Sequence, residues 1–241
     1  MICIDECDRL CELFHKCAEI DWEEAGKLYT KDYWALQYRL DDTPELSYCL
    51  GASLTEEVVA CLLGGYGMKA ELGLLAFHRL KNMKLINSRT SLRALEEAIT
   101  QPFRVNGRET HYRFPWQKAS YIHSFLQRDD IREMEMMNGN ELRDRLLTVK
   151  GIGLKTASWI ARNYLGCDDV AIIDIHIYRA GRLAGFIAPD WDIKKDYYKI
   201  EESFLCFCES IKARPSRMDN IIWNQMKESS HRVIKMLNPN I

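Results

Sequence analysis

Apolar positions along this chain recur every three to four residues, in blocks separated by glycine, proline, serine and asparagine. That period places side chains on one face of a helix. Residues 3–19 form the first block, with Cys3, Cys7, Cys11 and His15 at spacing four. An aromatic-rich stretch follows, holding Trp22, Tyr29, Tyr33, Trp34, Tyr38 and Tyr48. Within it, Asp41-Asp42-Thr43-Pro44 reads as a helix start with proline in the first turn. Ser53-Leu54-Thr55-Glu56 has the form of a capping box and opens a helix through Val58, Val59, Leu62 and Leu63. Gly64-Gly65-Tyr66-Gly67 ends that helix before another over Ala70 to Leu80, and Ser91 caps one through Leu92, Leu95 and Ile99. Pro102 to Arg108 reads as a loop, leading through His111 and Tyr112 to a helix carrying Ile122, Phe125 and Leu126. Asn140 opens the next helix. Val170-Ala171-Ile172-Ile173 is a short extended run before a helix with Ile177, Ala180 and Leu183. Two last helices are predicted over roughly Asp192 to Lys212 and Met218 to Leu237. No series of alternating strands appears, so the pattern predicts an all-α chain.

Composition narrows this picture. With 47% apolar residues over 241 positions, the chain can bury a core as one domain or two lobes. A net charge of −2 excludes a global basic field, so any nucleic-acid contact must come from a local face. Nine cysteines without a secretion-type start predict reduced thiols in a cytoplasmic protein, nucleoid-associated if bacterial, and no stretch has the length of a membrane span. The Cys3–His15 face is read as packing rather than a metal site. Twelve residues of helix rise about 18 Å, too far for four side chains to meet on one ion.

The chemistry concentrates in residues 146–163. Gly151-Ile152-Gly153 reads as a tight turn between two helices, and amides after such a turn favour an anion at the following helix N-terminus. Lys155 lies in the first turn of that second helix, where the dipole disfavours a cation and so favours the neutral, nucleophilic amine. The Gly64–Gly67 turn lacks the strand and Lys-Ser/Thr context of a nucleotide loop and is read as a helix connection.

Val149-Lys150-Gly151-Ile152-Gly153, Lys155 and Ile173-Asp174-Ile175-His176 together resemble the helix-hairpin-helix DNA glycosylases, most closely the 8-oxoguanine DNA glycosylase/AP lyase branch. Tyr112 to Ile122 is similar to the segment before the fourth barrel helix of that branch, and Asp219 to Trp223 to the start of its last helix. The resemblance implies a two-lobed all-α fold with the active-site cleft between lobes. It divides the chain into residues 52–150, and residues 1–51 with 151–241, the hairpin 146–163 standing at the junction. It implies excision of a damaged or modified base from double-stranded DNA by a monomer, with no metal or cofactor and no membrane partner. Cys206 and Cys208 do not have the spacing of an iron–sulfur loop. Lys155 is then the Schiff-base nucleophile and Asp174 the catalytic carboxylate. The backbone at Val149, Gly151 and Gly153, with Lys150, grips a phosphate. Trp116, where relatives often carry asparagine, and Trp159, one turn beyond Lys155, are base-pocket or wedge candidates, with core packing as the alternative for each. Trp159 also opens the reading to another lesion or a hypermodified base, and a non-catalytic DNA-binding module is the remaining alternative.

Overall fold

The computed structural model of the chain describes residues 20–44, 49–65 and 67–237. The predicted helix over residues 3–19 lies outside them. The described chain is all-α apart from one short hairpin, and it forms two compact units: residues 47–170, and residues 1–46 together with 171–241.

The first unit is built around helix α3 (Leu54–Leu63), numbered after α1 (Trp22–Ala25) and α2 (Lys31–Leu40) of the other unit. The run Val58 to Leu63 is apolar at every position, and eight of the ten residues of α3 are buried. A helix that is apolar all round must be packed on all sides. It is, by α4 (Ala70–Asn82), α6 (Pro115–Leu126) and α9 (Leu154–Leu165). Gly73 lets α4 close on the end of α3; a β-carbon there would lie 3.1 Å from the Leu63 carbonyl oxygen. Ser53 caps α3 as expected, its hydroxyl accepting from the Glu56 amide at 3.3 Å. The capping box is shifted, however. The Glu56 carboxylate accepts from the Ala52 amide at 2.8 Å and pairs with Lys81, while the fully buried Glu57 accepts from the amides of Leu50 and Gly51. Burial and the adjacent Glu57 carboxylate push the Cys49 thiol up to about 11. The other end of α3 is closed by side chains. The Tyr112 hydroxyl donates to the Leu63 carbonyl, and the Lys118 ammonium donates to the carbonyls of Leu62 and Gly64, a favourable place for a cation.

After α5 (Leu92–Thr100), the stretch read as a loop is a β-hairpin, β1 (Phe103–Val105) paired antiparallel with β2 (Arg108–Thr110). Its two-residue turn has Asn106 at φ 51° and Gly107 at φ 77°, the left-handed pair that suits the twist of the strands. Asn-Gly was the available signal. Three residues on either side were too few for alternation to show. After α7 (Ile131–Met134), the helix expected from Asn140 starts earlier: α8 (Gly139–Leu146) is capped by Asn138, with Glu141 completing a true capping box.

The second unit is organised by α12 (Pro215–Glu228), which packs against α2, α10 (Ile175–Ala184), α11 (Tyr197–Ser210) and α13 (Ser230–Leu237). The region predicted as two last helices is three, because Ser229 caps the end of α12 before α13 begins. Tyr29, Tyr33 and Trp34 pack on one another within this unit, and Trp34 is completely buried. Tyr33 donates to Gln225 at 2.6 Å and Arg217 pairs with Asp41 at 2.7 Å, tying α2 to α12. Asp41 therefore ends a helix instead of starting one; the helix expected after Pro44 falls on residues 45–48, outside the described residues.

The unit boundaries differ from those read in the sequence. Helix α9 buries Ala157, Ile160 and Ala161 in the same apolar core as α3 and α8, so the whole hairpin belongs to residues 47–170. The division falls at the extended segment after Val170, where one core ends and the other begins.

Candidate active site

The helix-hairpin-helix turn begins where α8 runs out. The Thr148 amide reaches the Arg145 carbonyl at 3.1 Å and the Val149 amide reaches Leu146 at 2.9 Å. The Val149 side chain is buried. Its amide is thus committed inside the turn, which corrects the expectation that it grips a phosphate; its role is to anchor the turn in the core. Ile152 is also buried and its amide bonds back to Val149. Gly151 takes φ 91°, and a β-carbon there would fall 2.2 Å from the Tyr121 ring, so this position admits glycine for two separate reasons.

Gly153 is different. Its φ is −107°, and a β-carbon would meet nothing within 4 Å. Nothing inside the protein requires glycine there, and the space above it is open. Gly153 is the N-cap of α9 and supplies no side-chain cap. The amides of Gly151 and Gly153 have no partner among the described residues. Unmet amides at the head of a twelve-residue helix form an anion site. Lys150, exposed, lies 5.8 Å above the Tyr121 ring beside this turn, and Lys155 is exposed in the first turn of α9.

Trp159, one turn beyond Lys155, is half-buried and packs against the core of residues 47–170. Trp116, in the first turn of α6, is 65% exposed, which removes the core alternative for it. Gln117, next to it, donates to the Tyr121 hydroxyl at 2.9 Å.

Asp174 lies on the other unit, at the head of α10. It is 6% exposed, and one of its oxygens accepts from the amides of His176 at 2.7 Å and Ile177 at 3.1 Å. This is a helix cap that also fixes the direction of the carboxylate. The segment before it, Val170 to Ile173, is buried without a strand partner among the described residues. Buried backbone must find partners, and α11 supplies them. The Tyr197 hydroxyl donates to the Ala171 carbonyl at 3.1 Å and accepts from the Ile173 amide at 3.2 Å. Glu201, one turn on, accepts from the Ala171 amide at 2.9 Å.

These two residues were not singled out from the sequence. Their spacing of four marks one helix face, but nothing local says that the face meets residues 171–173. Trp223 was also missed as a site residue. It is 38% exposed, sits edge-on to the His176 ring at 6.2 Å, and carries the Lys227 ammonium 4.6 Å above its own ring. The His176 Nδ1 is buried with no partner among the described residues.

A helix hairpin with an open anion site, a lysine in the following turn and a capped, buried aspartate nineteen residues later can now be compared with known proteins. Residues 45–213 match the family model of the helix-hairpin-helix type described as 8-oxoguanine DNA glycosylase. The chain belongs to this family. Within the 8-oxoguanine DNA glycosylase family, it is 34% identical over 118 residues to the 8-oxoguanine DNA glycosylase/AP lyase of Metallosphaera sedula. That match covers 46% of this chain and 57% of the relative. Identity to the Methanocaldococcus jannaschii protein of the same name is 34% over 117 residues, covering 46% and 56%. The chain thus spans a little over half the length of these curated relatives.

Solved structures support the family fold more broadly. The 8-oxoguanine DNA glycosylase of Thermotoga maritima superposes with a TM-score of 0.54 at 24% identity, over 92% of this chain and 95% of that one. The M. jannaschii glycosylase/lyase, solved with a 15mer DNA containing 8-oxoguanine, gives 0.57 at 23% identity, over 91% and 98%. The all-α glycosylase-family fold therefore extends beyond the stretch that aligns with the curated relatives.

Proposed function

We propose that this chain is a bifunctional DNA glycosylase/AP lyase that removes a damaged base, 8-oxoguanine first, from double-stranded DNA. The observation that carries the reading is the uncapped head of α9, with the Gly151 and Gly153 amides open and Lys155 in its first turn. An anion site of this kind suits one backbone phosphate, without regard to sequence. Lys150 adds charge beside it.

A base stacked in a duplex hides its glycosidic bond, so the nucleotide must first be turned out. The neutral Lys155 amine then attacks C1′, and the C1′–N bond breaks with its electron pair leaving on the base, which takes up a proton. Asp174 stabilises positive charge developing at the sugar. Loss of the amine protons and ring opening give a Schiff base at C1′. Removal of a C2′ proton expels the 3′ phosphate, and water frees the lysine. Trp116, exposed in the first turn of α6, is the wedge candidate, and Trp159 and Trp223 are pocket-wall candidates. Printed names of relatives support the substrate, and the solved DNA complex of one of them supports duplex DNA as the partner. A monomer working on cytoplasmic or nucleoid DNA suffices for this chemistry, and no described helix is long and apolar enough to cross a membrane.

A panel of duplexes, each with one altered base, tests the substrate, and borohydride reduction tests the chemistry. Wild type forms a covalent adduct with 8-oxoguanine DNA that Lys155→Ala abolishes; Asp174→Asn slows base release and retains binding. No adduct from wild type refutes the lyase step. Release of a different base, with 8-oxoguanine left intact, transfers the assignment to another lesion or a hypermodified base. Trp159 favours that second reading, because a half-buried indole one turn from the lysine narrows the space for a base.

A further inference from the structure

We propose that the β1–β2 hairpin is a second DNA-gripping element, in which Arg104 and Arg108 hold backbone phosphates of the duplex flanking the altered base. This rests on the DNA reading above and extends it beyond the helix-hairpin-helix turn.

Residues 104–118 carry Arg104, Arg108, Arg113 and Lys118 against the single carboxylate of Glu109, in a chain whose net charge is −2. Two of these cations are already engaged. Lys118 closes the end of α3, and Arg113 lies 5.0 Å over the Phe114 ring. Arg104 and Arg108 are exposed and make no ion pair or hydrogen bond among the described residues, although Glu109 stands opposite Arg104 in the register. A planar guanidinium matches a phosphate through two parallel hydrogen bonds, and a pair of them at a turn suits a polyanion.

The post that carries them is fixed at both roots. Phe103 is buried beneath the Arg79 guanidinium, 3.5 Å from its ring centre. Arg79 also donates to the carbonyls of Ala98, Gln101 and Pro102 at 2.8–2.9 Å. Tyr112, buried at the other root, donates to Leu63. Ordering of the hairpin is thus completed on folding, and binding need not supply it.

Two further features select nucleic acid over an acidic protein as the occupant. Beyond β2 come exposed Phe114 and Trp116, faces on which bases can stack. Gln117, Tyr121, Gly151 and Lys150 then touch in succession, leading within one unit from the first turn of α6 to the phosphate-gripping turn.

The experiment measures binding of wild type and the Arg104→Ala/Arg108→Ala double variant to duplexes bearing an uncleavable abasic analogue, across a salt series. One duplex is long and one is trimmed to the lesion and its immediate flanks. On the long duplex, the double variant binds at least tenfold more weakly, and the slope of log affinity against log salt falls by about 2, for two phosphates released. On the short duplex, wild type and variant converge. Arg104→Lys/Arg108→Lys, which keeps the charges, recovers most of the slope. Equal affinity and equal slope on the long duplex overturn the hairpin's role while leaving the helix-hairpin-helix grip intact. Failure of wild type to bind either duplex overturns the DNA reading itself, and the hairpin proposal with it.

Discussion

Replacing Tyr197 with phenylalanine removes one oxygen and keeps the ring. That oxygen bridges the Ala171 carbonyl and the Ile173 amide, at 3.1 and 3.2 Å, in a segment that no strand supports. Ala171 and Ile173 are each 2% exposed and Tyr197 is 4% exposed, so water does not reach the orphaned groups without opening the core. Leaving a buried donor or acceptor unpaired costs about 1–3 kcal/mol. Two such groups give about 2–4 kcal/mol, a large part of the about 5–15 kcal/mol that a domain typically holds. Urea unfolding followed by tryptophan fluorescence reads the loss directly. Glu201→Gln retains an oxygen to accept from the Ala171 amide and costs less, whereas Glu201→Ala costs about as much as an orphaned donor, about 1–3 kcal/mol. The same substitution reports on the site, because Asp174 directly follows the bridged segment. With DNA binding unchanged, base release by Tyr197→Phe falls about tenfold, since displacement of a catalytic group by a fraction of an ångström lowers the rate on this order. A stability loss below about 0.5 kcal/mol, together with an unaltered rate, refutes the claim that this hydroxyl sets the segment.

Three other outcomes follow from the geometry. Gly151→Ala destabilises the protein by about 2 kcal/mol or more, because φ 91° and the Tyr121 ring both oppose a β-carbon. Gly153→Ala changes stability by about 1 kcal/mol at most and yet weakens DNA binding; thermal melts beside binding curves separate the two, and equal effects on both quantities count against the phosphate role of Gly153. Arg79→Lys gives up the fork over Phe103 and at least one of the three carbonyl bonds, lowering stability by about 1–3 kcal/mol in urea. Asp130, hydrogen-bonded by Arg128 and Arg145, has its carboxyl lowered to about 2. A depressed carboxylate stabilises the fold above its unfolded value of about 3.9 and loses that contribution as pH falls towards 2. The stability gap between wild type and Asp130→Asn is therefore present at pH 5 and closes progressively below pH 4, as unfolding at several pH values measures.

Where the physics is local, the sequence determined the outcome. Helix periodicity, the Ser53 and Ser91 caps and the glycine turn depend on residues within one or two turns, and they placed α3, α4, α5 and the hairpin correctly. Lys155 and Asp174 were legible for the same reason, since a first-turn position and an N-cap are properties of neighbouring residues. The family followed from those motifs. Tertiary structure decided what depends on distant partners. It assigned α9 to the unit of residues 47–170, because the face bearing Ala157 and Ile160 finds its apolar complement on α3 and α8. It committed the Val149 amide to the turn and left those of Gly151 and Gly153 open, a distinction the letters do not carry. It also set Tyr197 and Glu201 beneath the segment leading to Asp174, across more than twenty residues of chain. A pattern read in short windows identifies the groups that do chemistry. The groups that hold them come from wherever the fold brings a matching donor or acceptor, and only the packed structure names those.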